Sequence, residues 1–204
     1  MMAKRQCAEV RKPKIIESFY RTILEEGFEN ASIAKVAKRL DIHPSLILHY
    51  FGNKENMTLA CVDFVIFEYA TLFRKLQSGS MAPEERLAKL VKTLWSKAYY
   101  EKIHIAASLS VITVSFRNPR VRKKIKGLYR LFKEYLIKEL KDLKEKGVIH
   151  AQDIERVADV LVTMVEGSRH FSHFFVKIKD RGQYNQDMGM AALGMLTNAS
   201  WQEK

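Results

Sequence analysis

The chain has 204 residues, 47% hydrophobic and 28% charged, and a formal net charge of +12 at pH 7. That length and apolar content suit one large or two small packed domains and exclude a disordered tail. The positive charge calls for an anionic partner, with nucleic acid and an anionic membrane surface as the two classes to separate.

No apolar run approaches the roughly 18 residues that a membrane-spanning helix needs. Met1 to Pro13 carries Lys4, Arg5, Arg11 and Lys12 but no apolar stretch of the kind a secretion signal has, so a cytoplasmic protein is expected. Cys7 and Cys61 are far apart and form no CxxC pair, which suggests neither a disulfide framework nor a zinc knuckle. With only four prolines and nine glycines, and Lys, Glu, Leu, Ala and Met plentiful, the composition predicts an all-α fold.

In chain order, Ile15, Ile16, Phe19, Ile23 and Leu24 predict a first helix over 12–27, ended by Gly27. Ser32 is placed to cap a short second helix with Ile33, Val36, Ala37 and Leu40 on its apolar face. Asp41, Ile42 and His43 break it, and Pro44 starts a third helix. Asn53 is placed to cap a fourth, running to about Leu76, and Ser78 to Pro83 reads as a linker. Further helices are predicted at 84–101, 104–116, 119–146, 152–178 and 184–201.

Between Ser32 and Phe51, two short helices must pack across a tight turn, with Ala37 small at the approach and Asp41 where a left-handed residue is needed. By spacing alone this is either a helix-turn-helix, whose second helix enters a major groove, or a plain corner of a helical bundle.

The residues themselves go further. Gly27-Phe28, Ala31-Ser32-Ile33, Val36-Ala37, Ile42 and the run His49-Tyr50-Phe51-Gly52-Asn53-Lys54-Glu55 resemble the signature of the TetR family of regulators. The recognition segment and Glu166-Gly167 are also similar to the choline-responsive BetI-type subgroup. The resemblance implies an N-terminal three-helix DNA-binding domain at 1–57 and a larger helical ligand-binding and dimerisation domain at 58–204. It implies that Ser32 caps the second helix and touches phosphate, that Ser45, Leu46 and His49 face the groove, and that Tyr50 and Lys54 bind phosphate. Three positions depart from the family pattern. Asp41 replaces a glycine, and Leu48 stands where a tyrosine often contacts phosphate. His43 replaces a Ser or Thr cap, leaving Pro44 to do more of the work of starting the helix.

The charge is concentrated elsewhere. Residues 1–57 hold ten Lys and Arg against seven Asp and Glu, whereas 117–146 holds twelve against four. Val121, Ile125, Leu128, Phe132, Leu136, Leu140 and Leu143 form the buried stripe of that second segment. Its basic residues are then either a solvated face or an extension of the positive field towards DNA flanks.

Glu101 with His104, and Glu166 with His170 and His173, have helical metal-site spacing, but no facing carboxylates complete a set. With no HExxH, P-loop, GxGxxG or nucleophile elbow, neither a cofactor nor enzyme activity is expected. Trp95, Tyr99, Phe116, Glu166, His170, Phe171 and Phe174 are the candidate lining of an effector pocket suited to an apolar or cationic molecule; a filled core is the alternative. Val157, Val160, Leu161, Met164, Val165 and Ser168, with Met188, Ala191, Ala192, Met195 and Leu196, are the expected homodimer seam. The combined reading is a repressor of a near-palindromic duplex operator, released by a small molecule. A constitutive DNA binder and, more remotely, a helical-bundle metalloenzyme are the rivals.

Overall fold

The structure, a computed structural model, describes residues 2–74, 81–102 and 104–198, with side chains described over 11–71, 81–101 and 104–198. Ten α-helices follow one another among these residues: α1 (Met2–Glu26), α2 (Ile33–Leu40), α3 (Pro44–Phe51), α4 (Lys54–Arg74), α5 (Pro83–Leu94), α6 (Lys97–Lys102), α7 (Ile105–Arg117), α8 (Pro119–Glu145), α9 (Ile154–Phe175) and α10 (Arg181–Thr197). No strand occurs among the described residues, so the fold is all-α as expected. The Ser78–Ser80 part of the predicted linker, the expected ends of α4 and α10, and the Cys7 side chain lie outside the described residues.

Two helices differ from the expectation for clear reasons. The first begins near the N-terminus and runs through Pro13. Residues 11–14 are all exposed, so that turn carries no apolar signal, and the stripe becomes visible only at Ile15. The helix predicted over 84–101 is interrupted between Leu94 and Lys97. There the Ser96 hydroxyl accepts from the Tyr99 backbone N–H at 3.1 Å and starts α6 afresh. A serine offering this local bond competes with helix continuation.

The helices form two compact units. The first comprises residues 1–68 and 103–126, the second 69–102 and 127–204. In the first, Ile15, Phe19, Val36, Ile47 and Met57, all at most 2% exposed, hold α1, α2, α3 and α4 around one core. In the second, Phe132, Leu136, Leu140 and Leu143 of α8 are buried together with Leu161 and Val165 of α9 and Leu196 of α10. The stripe expected along α8 is therefore real, and its Lys and Arg residues lie at its edges and on the outer face. Gly189 marks a close approach of α10 to α5, where an added Cβ would come within 3.3 Å of the Val91 side chain.

Cys61 sits inside the first core, 1% exposed. Burial pushes its thiol up to about 12, which leaves little of the nucleophilic thiolate at neutral pH. Iodoacetamide at pH 8 should therefore leave Cys61 unmodified in the folded protein and alkylate it in urea, as read by peptide mass. Rapid modification without denaturant would contradict the packing described for α4.

Candidate DNA-reading surface and effector cavity

The helix pair α2–α3 is built by its caps. Ser32 has extended backbone, and its Oγ accepts from the Lys35 N–H at 3.3 Å, satisfying a donor at the start of α2. At the other end Asp41 adopts φ 51° and ψ 49°. The Ile42 N–H then donates to the Ala37 carbonyl at 3.0 Å and the Asp41 N–H to the Lys38 carbonyl at 3.3 Å. This is a Schellman closure, with aspartate in the left-handed position where glycine is the easier residue. Val36 and Ala37 are buried at the contact, opposite Ile47 of α3.

His43 caps α3 with its own ring: Nδ1 accepts from the Ser45 N–H at 3.3 Å and lies 2.7 Å from the Ser45 Oγ. Pro44 holds the first helical position, but the His43 ring supplies the cap, so less of the work of starting the helix falls to Pro44 than the loss of a Ser or Thr cap had suggested. Ile47 and Phe51 point inwards, whereas Ser45, Leu48 and His49 are exposed and share the outward face of α3. Leu46 and Tyr50 are half-buried, Tyr50 packing on the first core and its ring lying 5.6 Å from that of His49.

Asn53 caps α4, its Oδ1 accepting from the Asn56 N–H at 2.8 Å. The Lys54 ammonium donates to the carbonyls of Phe28 and Glu29 at 3.1 and 3.3 Å and lies 4.9 Å from the centre of the Phe28 ring. Burial lowers its proton affinity, and Glu29 partly offsets that. Lys54 thus braces the connection between α1 and α2 from the first turn of α4.

In the second unit, Tyr69, Tyr99, Leu128, Tyr129, Phe132 and Glu166 enclose a cavity of about 10 Å³, enough for about one water molecule. The Tyr99 hydroxyl donates to Glu166 Oε1 at 3.0 Å, while Glu166 Oε2 is buried without a hydrogen-bond partner. Arg169, one helical turn along α9, is 0% exposed. Its Nη1 donates to the Tyr69 hydroxyl, its guanidinium carbon lies 5.6 Å from the Tyr69 ring centre, and its Nε and Nη2 have no partner. Burial, and then the nearby Glu166 charge, raise the Tyr99 phenol well above its usual range. His170 is half-buried with Nε2 unpartnered, and burial lowers its proton affinity.

Of the expected effector residues, this cavity brings together only Tyr99 and Glu166. Trp95 is 4% exposed and donates from its indole N–H to Ser168 Oγ at 3.0 Å. It also lines an open, largely apolar groove of about 620 Å³ between α5 and α10. Phe116 belongs to the first unit and is 71% exposed, while Phe171 and Phe174 are 53% and 75% exposed on α9. Sequence reasoning missed Tyr69, Tyr129 and Arg169. Only Arg169 carried a signal, being a charge at helical spacing among the buried Val165, Ser168 and Ser172.

A capped helix pair turned by a left-handed residue, with its second helix presented outwards, defines a helix-turn-helix DNA-binding protein. Residues 15–61 match the profile of bacterial regulatory proteins of the tetR family, and residues 82–195 match the tetracyclin repressor-like C-terminal domain. The chain belongs to the TetR family of transcriptional regulators. Among curated relatives, the regulator BetI of Rhizobium meliloti (strain 1021) is 23% identical over 158 residues, covering 78% of this chain and 75% of that one. BetI of Brucella suis biovar 1 is 24% identical over 158 residues, with 78% and 77% covered. A TetR regulator of Haloarcula marismortui has a similar fold (TM-score 0.80, 18% identity, 93% of this chain and 100% of that chain covered). So does a Saccharomonospora viridis regulator solved in complex with choline (TM-score 0.77, 20% identity, 89% and 95% covered). No helix among the described residues is long and apolar enough to cross a membrane.

Proposed function

We propose that this chain is a cytoplasmic, homodimeric repressor that holds a near-palindromic operator and releases it when a small cation enters the cage around Glu166. In this reading, DNA recognition belongs to residues 1–57, and effector binding and dimerisation to 58–204. Ser45, Leu46 and His49 meet base edges, while Ser32, His43, Pro44, Tyr50 and Lys54 position the protein on the backbone.

The observation that carries the effector assignment is the cage itself. Four aromatic rings surround one carboxylate that has an unused oxygen. Ring faces attract an ammonium by roughly 0.5–2 kcal/mol each, more when water is excluded. The Tyr69 ring already faces a cation, the Arg169 guanidinium. An entering ammonium competes with Arg169 for Glu166 and the rings, so it favours a conformation in which the cage has opened. That preference is the differential affinity a ligand needs to drain the DNA-bound population. The choline held by the Saccharomonospora viridis regulator supports the same ligand chemistry.

The test uses choline and its neutral isostere 3,3-dimethyl-1-butanol. Choline should raise the melting temperature and release DNA over one concentration range, because linkage makes the two effects reciprocal. The isostere should do neither. Glu166→Gln should weaken both responses at least tenfold and leave ligand-free operator binding intact. Equal responses to both compounds would make the site simply apolar, and no response to any cation would leave a constitutive DNA binder.

A further inference from the structure

Within the first compact unit, the residues from 1 to 68 hold ten Lys and Arg against nine Asp and Glu. Residues 103–126 of the same unit add six Lys and Arg and no acid, all of them between Arg117 and Lys126. The unit that reads DNA therefore owes nearly all its net positive charge to the corner where α7 meets α8, not to its helix-turn-helix.

That corner is fixed to α4, the helix that follows α3. Asn118 Oδ1 accepts from the N–H groups of Arg120 and Val121 at 3.0 and 3.1 Å, capping α8. Its Nδ2 donates to Glu55 Oε1 at 3.0 Å, one residue from Lys54 and four from the last residue of α3. Arg120 reaches the same Glu55 oxygen at 3.5 Å, and Lys124 pairs with Asp63 about two turns further along α4. Arg122 donates to the carbonyls of Ser115 and Phe116 at 3.1 and 2.8 Å, closing the end of α7. Three of the six cations are thus committed to holding the corner on α4 and to itself. Arg122 is committed in addition to Arg120 and Lys124 only through backbone, so it adds no neutralising acid. The remaining three, Arg117, Lys123 and Lys126, are exposed, and their side chains make no ion pair or hydrogen bond among the described residues. Lys123 and Lys126 stand three apart, on one face of α8.

We propose that Arg117, Lys123 and Lys126 form a second DNA-backbone contact that grips phosphates flanking the operator. The position beside the first turn of α4 and the absence of any acid in the segment favour duplex DNA as the occupant. This inference goes beyond the reading of the helix-turn-helix and asks nothing of the effector cage.

The experiment starts from a random-sequence duplex pool, from which wild-type protein selects its motif. Binding is then measured on that motif trimmed to its ends and on the motif extended by about ten base pairs, one helical turn, on each side. Wild type should bind the long duplex more tightly. The triple variant Arg117→Gln, Lys123→Gln, Lys126→Gln should select the same motif and match wild type on the trimmed duplex. On the long duplex it should lose at least tenfold. Its salt slope there should be shallower by up to about five units, since each cation counts twice in a dimer and each phosphate contact contributes about 0.9. Unchanged binding to the long duplex overturns the proposal. So does an equal loss on both duplexes, which would make the cations a diffuse steering field. Flank-independent DNA binding together with variant-sensitive pelleting on phosphatidylserine vesicles would assign the patch to a membrane surface and overturn it as well. If wild type enriches no motif, the helix-turn-helix reading fails, and this contact with it.

Discussion

Replacing Gly167 and Gly194 together by glutamine should convert the protein into a monomer of 23.7 kDa and weaken operator binding at least about 100-fold, the order of gain that linked half-sites provide. Neither glycine would have anything within 4 Å of an added Cβ, so the new side chains extend into open space in the single chain. Glutamine is also the better helix former, by roughly 0.5 kcal/mol at each position. The folded chain should lose nothing. A partner is another matter. Val160, Met164, Gly167, Phe171 and Phe174 recur on α9 at alternating spacings of four and three, the pattern of a helix–helix seam. Phe171, Phe174 and, on α10, Met190 are 53%, 75% and 71% exposed. Two-fold pairing of α9 and α10 with their copies would cover these side chains in a four-helix bundle. Ala192, which the sequence placed on that seam, is 0% exposed within its own chain, so a large residue there would damage the fold before it reached a partner. Light scattering decides: a variant that keeps twice the chain mass moves the interface elsewhere.

Arg169→Met should be strongly destabilising, by up to about 3–5 kcal/mol, the scale of the penalty for stripping an opposing charge from a group inside a fold. Arg169 is wholly buried and feels the charge of the half-buried Glu166, whose Oε2 lacks a hydrogen bond, so its removal takes an opposing charge away from that carboxylate. The Tyr69 hydroxyl would lose a charged donor as well. The double variant Glu166→Leu, Arg169→Met should recover most of the loss, because both desolvation costs disappear together. Urea titrations of the wild type, both single variants and the double variant measure the coupling directly. If the two losses simply added, the charges would not be acting on each other.

The helical framework was legible because it rests on local spacing. The stripe from Val121 to Leu143, the Ser32 cap and the left-handed Asp41 all follow from residues within a few positions of one another. The cage was not legible, because Tyr69, Tyr99, Tyr129 and Glu166 come from α4, α6, α8 and α9, and no local period joins them. The break at Ser96 was missed for a different reason: one hydroxyl decides it, against an apolar pattern that continues to Tyr99. Phe116, Phe171 and Phe174 were read as interior because large rings usually are, and nothing in the sequence marks them as exposed.

The ring that caps α3 also settles where its own proton sits. A backbone N–H can only donate, so the Nδ1 of His43 that faces Ser45 must be the unprotonated nitrogen. The neutral imidazole is then the Nε2–H tautomer, and the edge turned away from the cap presents a donor. The Ser45 hydroxyl, 2.7 Å from the same Nδ1, spends its hydrogen on the ring and keeps its lone pairs for whatever approaches. Two adjacent side chains at the tip of the recognition helix therefore carry opposite hydrogen-bonding polarity. The His43 edge is matched to an acceptor such as a phosphate oxygen, and Ser45 to a donor such as the exocyclic amine of adenine or cytosine.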